Sequence, residues 1–192
     1  MIQDLYSRKG IGFEVYAHED GELAAGLLER TLISEAVVRS QVVLHSDNGA
    51  AMKSQAMYIK MSEMGVIKSH SRPGVSNDNP YIESFFRTLK YNISWPKQGF
   101  ASLDEARQWV ARFMDWYNNI HKHSKLNYVT PSEHHEGLDG KILAKRKEVL
   151  EQQKKARPER WIQGKVRNCE PAPAVCLNPT KLTEATQIKV AA

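Results

Sequence analysis

Apolar positions along this chain change period several times, and each change marks an element. Ile2 to Tyr6 is strand-like, Ser7-Arg8-Lys9-Gly10 is a turn, and Ile11-Gly12-Phe13-Glu14-Val15-Tyr16 alternates as a half-buried strand does, so the first stretch predicts a hairpin. Leu23, Leu27, Leu28, Leu32 and Ala36 then recur at helical spacing, which predicts an amphipathic helix from about Gly21 to Val38. Val42-Val43-Leu44-His45-Ser46 reads as a short buried strand that stops in a turn at Asp47-Asn48-Gly49. A helix from Ser54 to Met64 places Met57, Tyr58, Met61 and Met64 on one face, as core filler, and a strand from Gly65 to Ser69 follows. After a polar loop from His70 to Asp78, Asn79 is placed to cap a helix and Pro80 suits its first position. That helix runs to about Asn92 and is expected to bury Ile82, Phe85, Phe86 and Leu89, with Glu83, Arg87 and Lys90 on the opposite stripe. Beyond a Trp95-Pro96 break, Ser102-Leu103-Asp104-Glu105 has the form of a capping box. Leu103, Ala106, Val110, Phe113 and Tyr117 then mark a core helix, expected to pack on the sheet.

Charge adds an appendage to this picture. The net charge is +5, but Lys141 to Arg167 holds ten Lys or Arg against three Glu, a local charge of +7 that leaves −2 for the rest. A near-neutral globule therefore carries a basic tail, whose helix, about Lys141 to Ala156, ends before Pro158. The expected organisation is a core over residues 1–137 and a basic helix with an irregular tail over 138–192. At 192 residues and 41% hydrophobic, the chain can build one sizeable core. It has no apolar run of spanning length and no signal-peptide pattern at its start, so a soluble, cytoplasmic protein without a membrane partner is expected. Cys169 and Cys176 lie in a Pro-rich segment without metal-type spacing, consistent with a reducing compartment and no disulfide.

Two carboxylates carry the candidate chemistry. Asp47 sits at a strand's carboxyl end and Glu83 near a helix start; the helix, strand and loop between them form a crossover that can return both to one sheet edge. His45-Ser46-Asp47-Asn48-Gly49, Ser71-Arg72-Pro73-Gly74, Asp78-Asn79 and Glu83-Ser84-Phe85-Phe86-Arg87-Thr88-Leu89-Lys90 together resemble the catalytic core of bacterial insertion-sequence transposases of the retroviral-integrase-like, DDE type. The likeness extends through Trp116-Tyr117-Asn118-Asn119-Ile120-His121-Lys122-His123 and Tyr128-Val129-Thr130-Pro131 to about Pro179, with His121 where that pattern usually has Arg.

The resemblance implies an α/β, RNase H-like mixed sheet flanked by helices, and DNA transposition or integration by metal-dependent phosphodiester cleavage and strand transfer. By that likeness Asp47 and Glu83 are the second and third catalytic carboxylates and ligands of Mg2+ or Mn2+. Arg87 and Lys90 contact DNA, and the chain assembles as a homo-oligomer on transposon ends and target. Hard oxygen ligands suit such ions, and a pair of them about 3.5–4 Å apart can steady both the attacking and leaving oxygens of an in-line displacement. No Ser or Tyr nucleophile is needed. The family's first Asp belongs to a strand before Ile2-Gln3-Asp4, central in a sheet ordered 3-2-1-4-5, and is missing from this sequence; Asp4 falls on the wrong strand to replace it. The expectation is an impaired enzyme, the alternative a catalytically inactive DNA-binding remnant. Zinc binding through His121, His123, His134, His135, Cys169 and Cys176 fits no standard finger spacing. His45 reads as a packed strand residue rather than a base.

Overall fold

The computed structural model describes residues 1–37, 42–75 and 78–175. At the front, β1 (Ile2–Gln3) and β2 (Gly10–Gly12) pair antiparallel, with Ile2 opposite Gly12 and Gln3 opposite Gly10. This hairpin is shorter than the alternation predicts. Phe13 is exposed, and the Val15 carbonyl accepts from Nε of Arg107 (3.1 Å) rather than from a strand. An alternating pattern marks a surface that suits pairing, but a ladder forms only where a second backbone supplies donors.

Helix α1 (Gly21–Ser34) starts where the Asp20 carboxylate accepts from the N–H groups of Glu22 and Leu23, and it buries Ala25, Leu27, Leu28 and Leu32. It stops short of the predicted limit: Ala36 already has φ 49°, and Val38 lies outside the described residues. Strands β3 (Val43–Ser46) and β4 (Ile67–His70) run parallel, with Val43 opposite Ile67 and Ser46 opposite His70. Between them α2 (Gln55–Met64) makes the crossover, capped by Ser54 Oγ, which accepts from the Met57 N–H, and ended by Gly65 in the left-handed region at φ 67°. Leu28, Leu32, Met57, Met61 and Val66 form one apolar cluster, and Ile2 and Leu44 pack against it, so both strand pairs lie under α1 and α2.

The single mixed sheet expected from the sequence is therefore, among the described residues, an antiparallel pair and a separate parallel pair within a mixed α/β chain. Glycine sets how closely helices approach β2. A Cβ on Gly10 would fall 2.1 Å from Cε of Met114, and one on Gly12 would fall 2.0 Å from Oγ1 of Thr31.

A second cluster joins α3 (Pro80–Lys90) to α4 (Leu103–Asn119) through Phe85, Leu89, Trp109, Phe113, Met114 and Tyr117. Phe85 meets the rings of Phe113 (5.7 Å) and Tyr117 (4.8 Å) edge-on, a favoured aromatic geometry. Trp109 and Met114 belong to this buried face although the five expected positions omit them; Leu103 and Val110 are only half-buried. The short α5 (Pro131–His135) has a complete capping box between Thr130 and Glu133. Then α6 (Asp139–Ala156) carries the basic run. Leu143 and Cys169 bury Leu126 and Val129 in a third cluster, and the guanidinium of Arg146 donates to the carbonyls of Asn127 and Tyr128. Cys169 is a buried free thiol; Cys176 to Pro179 lie outside the described residues. No helix among the described residues is long and apolar enough to cross a membrane.

Candidate active site

Asp47 is the first residue past β3. Its Oδ1 accepts from the Gly49 N–H (3.0 Å) in a tight Asx turn, and its carbonyl accepts from Ser46 Oγ (3.0 Å), so the backbone leaves the strand in a fixed direction with the carboxylate exposed. Behind it, His45 bridges to the next segment. Its Nε2 lies 3.0 Å from the Asp78 carbonyl and its Nδ1 lies 2.9 Å from Ser69 Oγ. A carbonyl only accepts, so Nε2 carries the proton and, in the neutral ring, Nδ1 accepts from Ser69. His45 is thus a packed strand residue, and its bonds tie β3 to the start of α3.

The loop after β4 is tied at both ends. The Asp78 side chain is 1% exposed and accepts from the Arg72 N–H (2.7 Å), from Nε (2.9 Å) and from Nη2 (2.8 Å), which makes a bidentate pair. Hydrogen bonding to Asp78 and its charge raise the Arg72 pKa. Asn48 Nδ2 donates to the Ser71 carbonyl (2.8 Å), holding the two turns together. Residues 76–77 of this loop lie outside the described residues.

Helix α3 follows at once. Asn79 occupies the capping position, yet its side chain makes no cap hydrogen bond, in contrast to the expectation; Pro80 begins the helix as predicted. One side of α3 presents Asn79, Ile82, Glu83 and Phe86. These residues, with Asp47, Asn48, Ser71, Arg72, Gly74 and Val75, line an open cleft of about 540 Å³. The two predicted acids, separated by thirty-five residues of sequence, therefore share one cleft. Arg87 and Lys90 do not line it. Both are exposed further along α3, with the Arg87 guanidinium 5.8 Å from the Tyr91 ring centroid. Phe86, expected in the core, is 40% exposed on the cleft side. On a helix the positions 82, 83 and 86 are neighbours, so a face that carries Glu83 into the cleft brings Phe86 with it.

A divalent ion is the group this donor set suggests. Both acids are oxygen-only donors; the Glu83 carboxylate makes no ion pair or side-chain hydrogen bond among the described residues, although Arg87 is one turn away, and Asp47 uses one oxygen on its own turn. Two open carboxylates fit a hard cation. Among the described residues no group of three His, Cys, Asp or Glu gathers as a metal site, so the fit extends to two ligands.

A second polar cluster lies where the hairpin turn meets α3 and α4, and no local motif marks the meeting of Arg8 with Tyr81 and Tyr117. Arg8, at φ 65° and 7% exposed, stacks on the Tyr81 ring at 3.7 Å. Burial raises the Tyr117 hydroxyl to about 12, against the pull of Arg8 and the hydrogen bond from Gln3. Burial lowers His121, and it lowers His123 to about 4 with help from the charges of His121, Arg8 and Lys125.

Residues 64–131 match a protein-family model described as the integrase core domain. The transposase for insertion sequence element IS904 of Lactococcus lactis is 27% identical over 131 residues, 68% of this chain and 51% of its own. A protein of element IS150 from Escherichia coli K12 is 26% identical over 133 residues, covering 69% of this chain and 46% of that one. Among solved structures, the catalytic core domain of BIV integrase aligns with 66% of this chain and 79% of its own at 19% identity and a TM-score of 0.42. The chain spans about half the length of the curated relatives it matches. The chain is thus similar to insertion-sequence transposases along about two thirds of its length, and its residues 64–131 match the integrase core domain.

Proposed function

We propose that this chain is core machinery of DNA transposition or integration, with Asp47 and Glu83 as two of the carboxylates that hold Mg2+ or Mn2+ for phosphodiester cleavage and strand transfer. The observation that carries the reading is the meeting of these two acids in one open cleft despite their separation in sequence. A bound divalent cation supplies charge stabilisation at the reacting phosphate and lowers the pKa of an attacking water or hydroxyl. The chain's own residues hold and orient. The Asx turn aims Asp47, and His45 with the Arg72–Asp78 pair holds the start of α3, so that Glu83 stands across the cleft. Arg87 and Lys90, exposed beyond the cleft, are proposed to receive the phosphate backbone of DNA leaving it. The two strand pairs under α1 and α2 suit halves of an RNase H-like sheet, and α6 with the residues after it suits an accessory basic segment that grips DNA or a second subunit. The proposed setting is a cytoplasmic homo-oligomer on transposon ends and target. With two acids rather than three gathered among the described residues, the 192-residue chain alone is proposed to be impaired in strand transfer.

Metal binding tests this directly. Mn2+ titration followed by electron paramagnetic resonance is expected to show binding by the chain that Asp47→Asn and Glu83→Gln each weaken by at least tenfold, with metal-free DNA affinity unchanged. If both variants bind Mn2+ as the parent does, the assignment of the acids fails. Robust magnesium-dependent joining by the purified chain would overturn the impairment.

A further inference from the structure

We propose that the wall of this cleft formed by Phe86, with the side-chain amide of Asn79, is a binding site for one unpaired nucleobase at the end of a DNA strand; the proposal rests on reading the cleft as a DNA-strand site. Phe86 is 40% exposed and Val75 38% exposed, and both line the cleft with half-buried Ile82, so one wall is apolar while Asp47, Glu83, Asn48 and Ser71 make the rest polar. Phe86 is anchored from behind, its ring edge-to-face with the fully buried Phe85 at 5.7 Å. The Asn79 amide makes no side-chain hydrogen bond among the described residues, which leaves two donors and an acceptor available at the cleft. An exposed aromatic face beside an unused carboxamide matches a flat heteroaromatic ligand with hydrogen-bonding edges, because stacking takes the face and the amide takes the edge.

The position of Phe86 selects which nucleotide. Glu83 and Phe86 are three residues apart on α3, so their Cβ atoms lie about 5–6 Å apart. A phosphate held by a divalent cation at Glu83 would put the adjoining base within reach of Phe86. In a duplex both faces of each base are covered by its neighbours, and only a base removed from the stack can lie on the ring. The site would therefore favour frayed or overhanging ends over blunt, fully paired ones.

The probe is a short DNA duplex carrying 2-aminopurine in a single-stranded 3′ overhang, compared with the same duplex blunt, each titrated with the full chain in Mn2+. Expected are quenching of the overhang fluorophore and about tenfold tighter binding of the overhang. Phe86→Ala should abolish both the quenching and the preference while leaving blunt-duplex affinity unchanged. Phe86→Trp should restore both, and Asn79→Ala should retain the quenching but reduce discrimination among overhang bases. A preference that survives Phe86→Ala, or equal binding of both duplexes by the parent, overturns this proposal and leaves the strand-transfer reading standing. Binding of neither DNA overturns both.

Discussion

Phe85 and Phe86 are adjacent in sequence and are predicted to differ sharply in what they contribute. Phe85 is 1% exposed and wedged between Phe113 and Tyr117, so Phe85→Ala leaves a ring-sized void between α3 and α4 and should cost about 3–5 kcal/mol. Against a total stability on the order of 5–15 kcal/mol, that is a large share. Phe86 keeps 40% of its surface in solvent and has one edge contact with Phe85, so Phe86→Ala loses only part of the 1.5–3 kcal/mol of a fully buried ring, about 1 kcal/mol. Urea unfolding followed by circular dichroism and tryptophan fluorescence measures both. The midpoint should fall strongly for Phe85→Ala and slightly for Phe86→Ala, with the slope against urea unchanged. Equal losses for the two variants would place Phe86 in the core and remove the structural basis for its role in the cleft.

Gly12→Ala should destabilise the chain by about 1–3 kcal/mol, because the new methyl meets Thr31 Oγ1, which is held by its hydrogen bond to the Leu27 carbonyl (2.7 Å); Thr31→Ala in the same background should recover part of the loss in thermal melts. Ser54→Ala removes the acceptor for the Met57 N–H and should cost about 1 kcal/mol, read as a lower melting temperature; no change would mean that another acceptor caps α2. Stability should also fall on mild acidification. His121 and His123 are neutral in the folded chain at pH values where the unfolded chain binds protons, so their contribution is complete above the ordinary imidazole pKa and is lost as pH falls from there towards 4. For His123 the full span would amount to about 3 kcal/mol, and partial exposure reduces it. Unfolding at pH 7 and pH 5 should show a loss that shrinks in a His121→Gln/His123→Gln variant; an identical loss in both proteins would refute the assignment.

Most helices are legible in the sequence because their signals are local. Asp20, Ser54 and Ser102 accept from backbone N–H groups one turn on, and Gly65 ends α2 in the left-handed region, all within a few residues of the pattern that announces them. The hairpin is shorter than its alternating pattern, and the described strands form two separate pairs, because strand pairing depends on a distant backbone, which no local pattern specifies. Phe86 lines the cleft instead of the core for a related reason: hydrophobic spacing says which residues share a side of α3, but not where the core ends and the cleft begins.

By itself the sequence determined the candidate acids, the order of most elements and the motifs that resemble those of insertion-sequence transposases. Tertiary structure alone decided that Asp47 and Glu83 face one cleft, that Arg72 and Asp78 tie the loop between them, and that Arg87 and Lys90 lie outside it. It also decided the lowered His123, since burial and the charge of Arg8 act through space. Local chemistry is written in neighbouring residues, whereas burial and convergence depend on how distant segments pack.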